Sequence, residues 1–319
     1  MDLTYDLTEP YTDPDFYEEM HGLCDAAGVS FQMAKRLHMI PSITKGACSM
    51  FGAWGKAVPK QEPHLLQLRA LDWDMDGPFR DFSAITVYHG DKSNSSNGHS
   101  WINIGMVGFI AALTGVSEYQ LGISEIGVSF PDDSWGPPQG LIPIPAIPFV
   151  VLLRDILKYD HTIDDSISRM ANAKRDCNLI LGVGDGKAGY FRGFQYGPYV
   201  LNVFDPENMA PDNSTWHPKM PGLVYWGMDW QCPSFNYVLS QQLEKFYGDI
   251  TPENAIRSIS SVEQSGDNHL AFYDLTSMDL YVSFAAPHAS GGPPEAYYRQ
   301  FTHFDVRSLF RELPIKTAY

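Results

Sequence analysis

Gly46-Ala47-Cys48-Ser49-Met50-Phe51-Gly52-Ala53-Trp54-Gly55, with Leu68-Arg69-Ala70-Leu71-Asp72-Trp73 just beyond it, is the stretch on which the chain turns. Small residues precede a cysteine and a short alternating apolar run follows it. After a loop, a second apolar run carries an arginine and an aspartate three positions apart. Alternation at period two reads as strand, so the pair reads as a hairpin. Its first strand starts on a thiol, and its second ends near an Arg69–Asp72 ion pair.

Around this hairpin the composition is that of an ordinary globular protein, with 319 residues, 44% apolar and 19% charged. A chain of this length buries a sizeable core without help from metals or disulfides. The net charge of −16 leaves no basic stripe to displace counterions, so nucleic acid is not an expected partner. No apolar run reaches the ~20 residues of a membrane-spanning helix. The acidic start Met1-Asp2-Leu3-Thr4-Tyr5-Asp6 lacks the apolar core of a cleavable leader. Two sequons, Asn94-Ser95-Ser96 and Asn213-Ser214-Thr215, favour a glycoprotein on the secretory route, lysosomal or extracellular, with the cytoplasm as the alternative. Four cysteines make no disulfide framework, although one bridge among Cys24, Cys177 and Cys232 stays open. No Cys-x-x-Cys and no clustered histidines occur, so neither a metal nor a cofactor is expected. Oligomeric state is left open.

Residues 1–12 read as an extended arm. Asp13 and Pro14 then start a helix as N-cap and first helical residue. Gly28 separates it from a second helix over 30–38, which Pro41 ends. Strands are expected at 82–88, 101–110 and 120–130, with a turn at Thr114-Gly115, and a proline-rich loop at 137–145. Helices follow at 149–159 and 162–175, with Thr162 and Asp165 as a cap pair. Strands return at 177–183, 188–194, 199–204 and 223–230, then helices at 234–247 and 252–262. A last hairpin spans 269–273 and 280–284. Strands, helices, then strands again point to an α+β sandwich in one domain over 1–319, with helices outside two sheets.

Two motifs are imitations. Asp72-Trp73-Asp74-Met75-Asp76-Gly77 copies the first half of an EF-hand loop, but Ser83 stands where the bidentate Glu belongs. Gly184-Asp185-Gly186-Lys187-Ala188-Gly189 matches GxGxxG, but a strand pattern follows it, which supplies no helix N-terminus for a pyrophosphate.

A free cysteine is most often a small buried side chain. Cys48 differs in its company. Nucleophilic catalysis needs a thiol, a base, an orienting charge and an oxyanion site. An α-amine freed at Cys48, with a pKa near ~8, supplies the base. Arg69 holds a thiolate by charge, and Asp72 anchors an ammonium.

Cys48-Ser49-Met50-Phe51 with Arg69-Ala70-Leu71-Asp72-Trp73 resembles the N-terminal-nucleophile hydrolases of the cysteine branch: choloylglycine hydrolase, acid ceramidase, N-acylethanolamine acid amidase and the isopenicillin-N acyltransferases. Ala70 stands where that group usually has Asn. Thr114-Gly115-Val116-Ser117-Glu118 with Leu121-Gly122 is similar to its TG-x-N-E-x-GL hairpin, and Gly127-Val128-Ser129-Phe130-Pro131 to its G-L-N-F-P stretch. Pro233-Ser234-Phe235-Asn236-Tyr237 resembles its P-T-F-x-[WY] run. The resemblance implies a four-layer αββα fold and autocatalytic cleavage between residues 47 and 48. It further implies attack on the amide of a small N-acyl substrate, lipid-like or an N-acyl amino acid. Cys48, Arg69 and Asp72 would be catalytic, with Gln231 (or its rival Asp229) as an oxyanion donor and Ser129 at a substrate contact. Arg257 is the nearest match to the family's final arginine. Phe51 and Trp54, with the segment 141–151, would line an acyl pocket or serve as ordinary core. An acyltransferase, or an idle binding protein that kept the fold, are the alternatives.

Overall fold

The computed structural model describes residues 1–44, 46–60, 64–90, 98–129, 131–137, 145–209, 218–227 and 238–312. Three helices open the chain: α1 (Asp2–Thr8), α2 (Pro14–Ala27) and α3 (Phe31–Ile43). Asp13 caps α2 by accepting from Asp15 N, and Gly28 ends it at φ +67°, a left-handed turn that costs glycine least. Two expectations fail here. Residues 1–12 are helical rather than extended, because tertiary contacts override the local signal. Asp2 pairs with Arg36 at 2.7 Å, and Lys35 Nζ lies 3.7 Å from the Tyr5 ring centre. Pro41 sits inside the last turn of α3 instead of ending it.

Next come β1 (Ala47–Ala53), β2 (Leu66–Asp72), β3 (Ser83–Tyr88), β4 (Trp101–Met106), β5 (Gly115–Ser117) and β6 (Leu121–Gly127). The Thr114-Gly115 turn is therefore the entry to a short strand. A Cβ at Gly115 would lie 2.4 Å from Ile102 O, so only glycine lets β5 close on β4. The expected helices are α4 (Phe149–Tyr159) and α5 (Ile163–Asn172), the latter opened by a Thr162–Asp165 capping box. Strands β7 (Leu179–Asp185), β8 (Tyr190–Tyr196), β9 (Leu201–Phe204) and β10 (Leu223–Trp226) follow. The GxGxxG segment forms the β7–β8 hairpin. Then come α6 (Val238–Lys245), α7 (Pro252–Asn254), a π turn over Ala255–Ser260, α8 (Ser261–Glu263), β11 (His269–Asp274), β12 (Asp279–Phe284), β13 (Thr302–Asp305) and α9 (Val306–Arg311).

The strands form two antiparallel sheets, of order β10-β1-β2-β11-β12-β13 and β3-β4-β5-β6-β7-β8-β9. They pack face to face through β1 and β2 against β6, β7 and β8. Glycines let them approach: a Cβ on Gly52 would lie 2.3 Å from Phe191 Cγ, and one on Gly193 2.2 Å from Trp226 Cη2. Outside the seven-stranded sheet, α2, α3, α4 and α5 share one apolar core with Ile123, Leu179 and Phe194. On the other side Leu239, Leu243 and Ile259 join the core of the six-stranded sheet. The layers run helix, sheet, sheet, helix, as the resemblance implies. The described helices include none long and apolar enough to cross a membrane.

Candidate active site

β1 is a central strand, so its first residues are fixed from the β2 side by the register Ala47↔Asp72, Cys48↔Leu71 and Met50↔Arg69. Alternation then sorts the side chains. Cys48, Met50 and Gly52 face the seven-stranded sheet, and Arg69 shares that face. Ser49, Phe51 and Ala47 face the other way.

Cys48 is 1% exposed and its side chain is in electrostatic and hydrogen-bonding contact with Arg69. Arg69 is wholly buried, donating from Nη1 to Ala70 O at 2.6 Å and from Nη2 to Glu125 Oε2 at 3.0 Å. The expected Arg69–Asp72 ion pair is thus replaced by Arg69–Glu125, because residues three apart on a strand point to opposite faces. Burial pushes the Cys48 thiol up to about 12, against the pull of Arg69, and the Glu125 and Asp72 charges push the same way. At neutral pH this sulfur is therefore a protonated thiol.

Asp72 closes the opposite side of β2. Its carboxylate accepts from Ser265 Oγ at 2.5 Å, Gly266 N at 2.7 Å and Asp267 N at 3.0 Å. Ser49 Oγ donates to Ser265 Oγ at 2.7 Å, which ties β1 into the same chain of bonds. Burial raises the Asp72 pKa, and the Ser265 and backbone donors pull it back. Asp267, whose Oδ1 accepts from Trp73 N at 3.0 Å, is pushed to about 7 by burial and then by the Asp72 charge. A cleft of about 900 Å³ opens here, lined by Gly46, Ala47, Asp72, Trp73, Gln264, Asp267 and Tyr297 among others. On β11, paired with Leu71 of β2, His269 shares a 2.9 Å hydrogen bond with Thr114 Oγ1 and is held neutral by burial and by Arg69.

Of the residues singled out from sequence, Cys48 and Arg69 meet on one face of the β1–β2 hairpin, and Asp72 stands on its other face opposite Ala47. Phe51 is buried on the helix-side face, 6.2 Å from the Phe272 ring, away from the sulfur. Trp54 lies six residues along from Cys48, about 20 Å at ~3.3 Å per strand residue. Neither can line a pocket at that thiol. Ser129 is exposed beyond the end of β6. Arg257 is on the surface, paired with Glu253 at 2.7 Å. Gln231 and Asp229 lie outside the described residues, as do both sequons, Cys232 and most of the proline-rich loop. Cys24 and Cys177 are buried thiols. Glu125, Ser265 and Asp267 escaped the sequence reading. Glu125 had a signal, a lone acid inside the apolar strand Leu121–Gly127, since a buried charge requires a partner.

The fold is that of the N-terminal-nucleophile hydrolases. The solved structure of a Caenorhabditis elegans ortholog of N-acylethanolamine-hydrolyzing acid amidase superposes with a TM-score of 0.51 at 11% identity, covering 72% of this chain and 93% of that one. No protein-family model matches the sequence. Two curated proteins of Dictyostelium discoideum do. Protein dcd1A is 33% identical over 325 aligned residues, covering 98% of this chain and 71% of dcd1A. Protein dcd1B is 32% identical, and the chain spans 62% of its length. By that identity across nearly its whole length, the chain belongs to the dcd1 protein family.

Proposed function

We propose that this chain is a self-processing cysteine amidohydrolase that cuts itself between Ala47 and Cys48 and then cleaves the linear amide of a small N-acyl substrate. The observation that carries the reading is the meeting of the Cys48 thiol with the buried Arg69 guanidinium at the head of β1, while Asp72 stands across from Ala47. The amide-cleaving activity named for the acid amidase ortholog supports the substrate class.

In the first stage the Cys48 sulfur attacks the Ala47 carbonyl carbon. The C–N bond breaks as the acyl group moves to sulfur, and the thiol proton ends on the nitrogen. Water then opens the thioester, leaving an Ala47 carboxylate, the Cys48 thiol and a free Cys48 amine. In the second stage that amine takes the thiol proton, with Arg69 stabilising the thiolate and Asp72 the ammonium. The thiolate attacks the substrate amide, the ammonium returns a proton to the leaving nitrogen, and water resolves the new thioester. An acyltransferase would replace that water with an amine, and a binding protein that merely kept the fold would do neither.

Denaturing electrophoresis and intact-mass measurement test the reading. Maturation removes about 5 kDa, the share of 47 residues in a 319-residue chain of 35.7 kDa, and Cys48→Ala stays whole. A wild-type chain that remains single after incubation from acid to neutral pH, and turns over no fluorogenic N-acyl amide, overturns the proposal.

A further inference from the structure

Away from Cys48, a groove of about 1040 Å³ runs between the α1–α2 junction and the α4–α5 pair. Its lining includes the apolar side chains Ile147 and Leu152, the rings of Tyr11 and Tyr159, and the carboxylate of Asp155. Asp155 is 9% exposed, yet it has no hydrogen-bond or ion-pair partner among the described residues. A buried carboxylate left in this condition costs stability and invites a donor.

The other charged groups of the groove are committed. Asp160 Oδ1 accepts from Arg169 Nε at 2.9 Å and Nη2 at 2.6 Å. Asp165 Oδ2 caps α5 by accepting from His161 N and Thr162 N, and Asp13 Oδ1 caps α2. Lys174 Nζ donates to Tyr11 OH at 3.2 Å. Arg154, beside Asp155 in sequence, turns away to Glu19 at 2.5 Å and Ile110 O at 2.9 Å. Four aspartates face two cations, so the groove has an acidic balance in which Asp155 is the carboxylate left without a donor, while Asp160 leaves only its Oδ2 unpartnered. Its carboxylates are spread along the walls rather than gathered as a metal cage. Burial pushes Asp155 up to about 6, with Arg169 and Arg154 pulling it back.

We propose that this groove binds a small organic ammonium ion, a linear diamine or polyamine, with one ammonium on Asp155 and its methylenes along Ile147 and Leu152. The site is independent of the reading of Cys48. A cavity of this size suits a small molecule rather than a single ion. An ammonium supplies both the donors and the charge that Asp155 lacks, and the alkyl chain dries the contact.

Isothermal titration of the full chain with cadaverine and with spermidine, at near-physiological salt, tests this. Saturable one-to-one binding is expected, with none for the uncharged analogue 1,5-pentanediol. Asp155→Asn weakens binding by about tenfold or more, the loss of one charge-assisted bond. Ser168→Trp fills the groove from the exposed side of α5, keeps Asp155, and has the same effect; it carries the test if the Asp155 variant misfolds. Asp164→Asn removes an exposed charge outside the groove and leaves affinity unchanged. Absence of saturable binding overturns the proposal. So does an Asp164→Asn loss equal to that of Asp155→Asn, which would mean diffuse attraction to an acidic surface, or wild-type affinity in Ser168→Trp.

Discussion

Asp72 stands directly opposite Ala47 in the β1–β2 ladder, so the carboxylate held by Ser265, Gly266 and Asp267 lies across from the residue that precedes Cys48. On the proposed cleavage, a charge fixed at this place would serve the amine freed after residue 47.

Asp72→Asn keeps one oxygen to accept from Gly266 N and Asp267 N but loses the charge and the oxygen that accepts from Ser265 Oγ. Turnover of an N-acyl amide should fall by about tenfold to a hundredfold, the worth of a charge-assisted hydrogen bond of ~1.5–3 kcal/mol, while urea unfolding changes less. Equal loss of activity and of folded protein would make Asp72 a structural group only.

Arg69→Met leaves Glu125 as a buried carboxylate without its cation. Chemical denaturation should show a loss of about 3–5 kcal/mol, the cost of breaking a buried pair from one side. Adding Glu125→Gln to that variant should restore part of the stability. No restoration would show that the two side chains do not depend on each other.

Burial pushes the Cys48 thiol up to about 12, so inertness toward alkylation is expected in the native chain while the 47–48 peptide bond is intact. Iodoacetamide at pH 8 should leave the Cys48 peptide unmodified in native uncut protein and label it once the chain is denatured, as peptide mass mapping reads directly. Rapid native labelling would place the sulfur in contact with solvent.

Asp267 gives a signed pH effect. Its carboxyl is raised from 3.8 in the unfolded chain to about 7 in the fold, so the folded state holds the proton more tightly. The resulting stabilisation is fully present below about pH 4 and is lost as pH climbs through about 7. Asp267→Asn, which still accepts from Trp73 N, should raise the melting temperature at pH 8 and leave it nearly unchanged at pH 4. A rise of equal size at both values would refute the assignment.

Gly52→Ala drives a methyl group into Phe191 and should cost about 1–3 kcal/mol by denaturant titration. A neutral result would mean that the sheets can separate at this point.

The hairpin 47–72, α4 and the β11–β12 hairpin were legible because their signals are local: alternation, turn residues and caps. Helix α1 was not, because Tyr5 and Asp2 are held by Lys35 and Arg36, some thirty residues away. The same distance effect governs the site. Cys48, Arg69 and Asp72 share one hairpin, so spacing could suggest them. Glu125 reaches Arg69 across the gap between sheets, and Ser265 meets Asp72 from 193 positions further on. Phe51 misled because a short strand sends neighbouring side chains to opposite faces, which hydrophobicity alone does not reveal.

The first three helices are anchored to the body by more than their peptide link. Arg154 holds Glu19, Ile110 N donates to His38 Nε2 at 3.0 Å, Ser42 Oγ donates to Asp176 at 3.0 Å, and Phe16, Met20 and Met39 sit in the α4 core. Severing the backbone ahead of Cys48 would therefore not cast the leading segment adrift. Two polypeptides would travel as one particle through a sizing column, and only denaturant would part them.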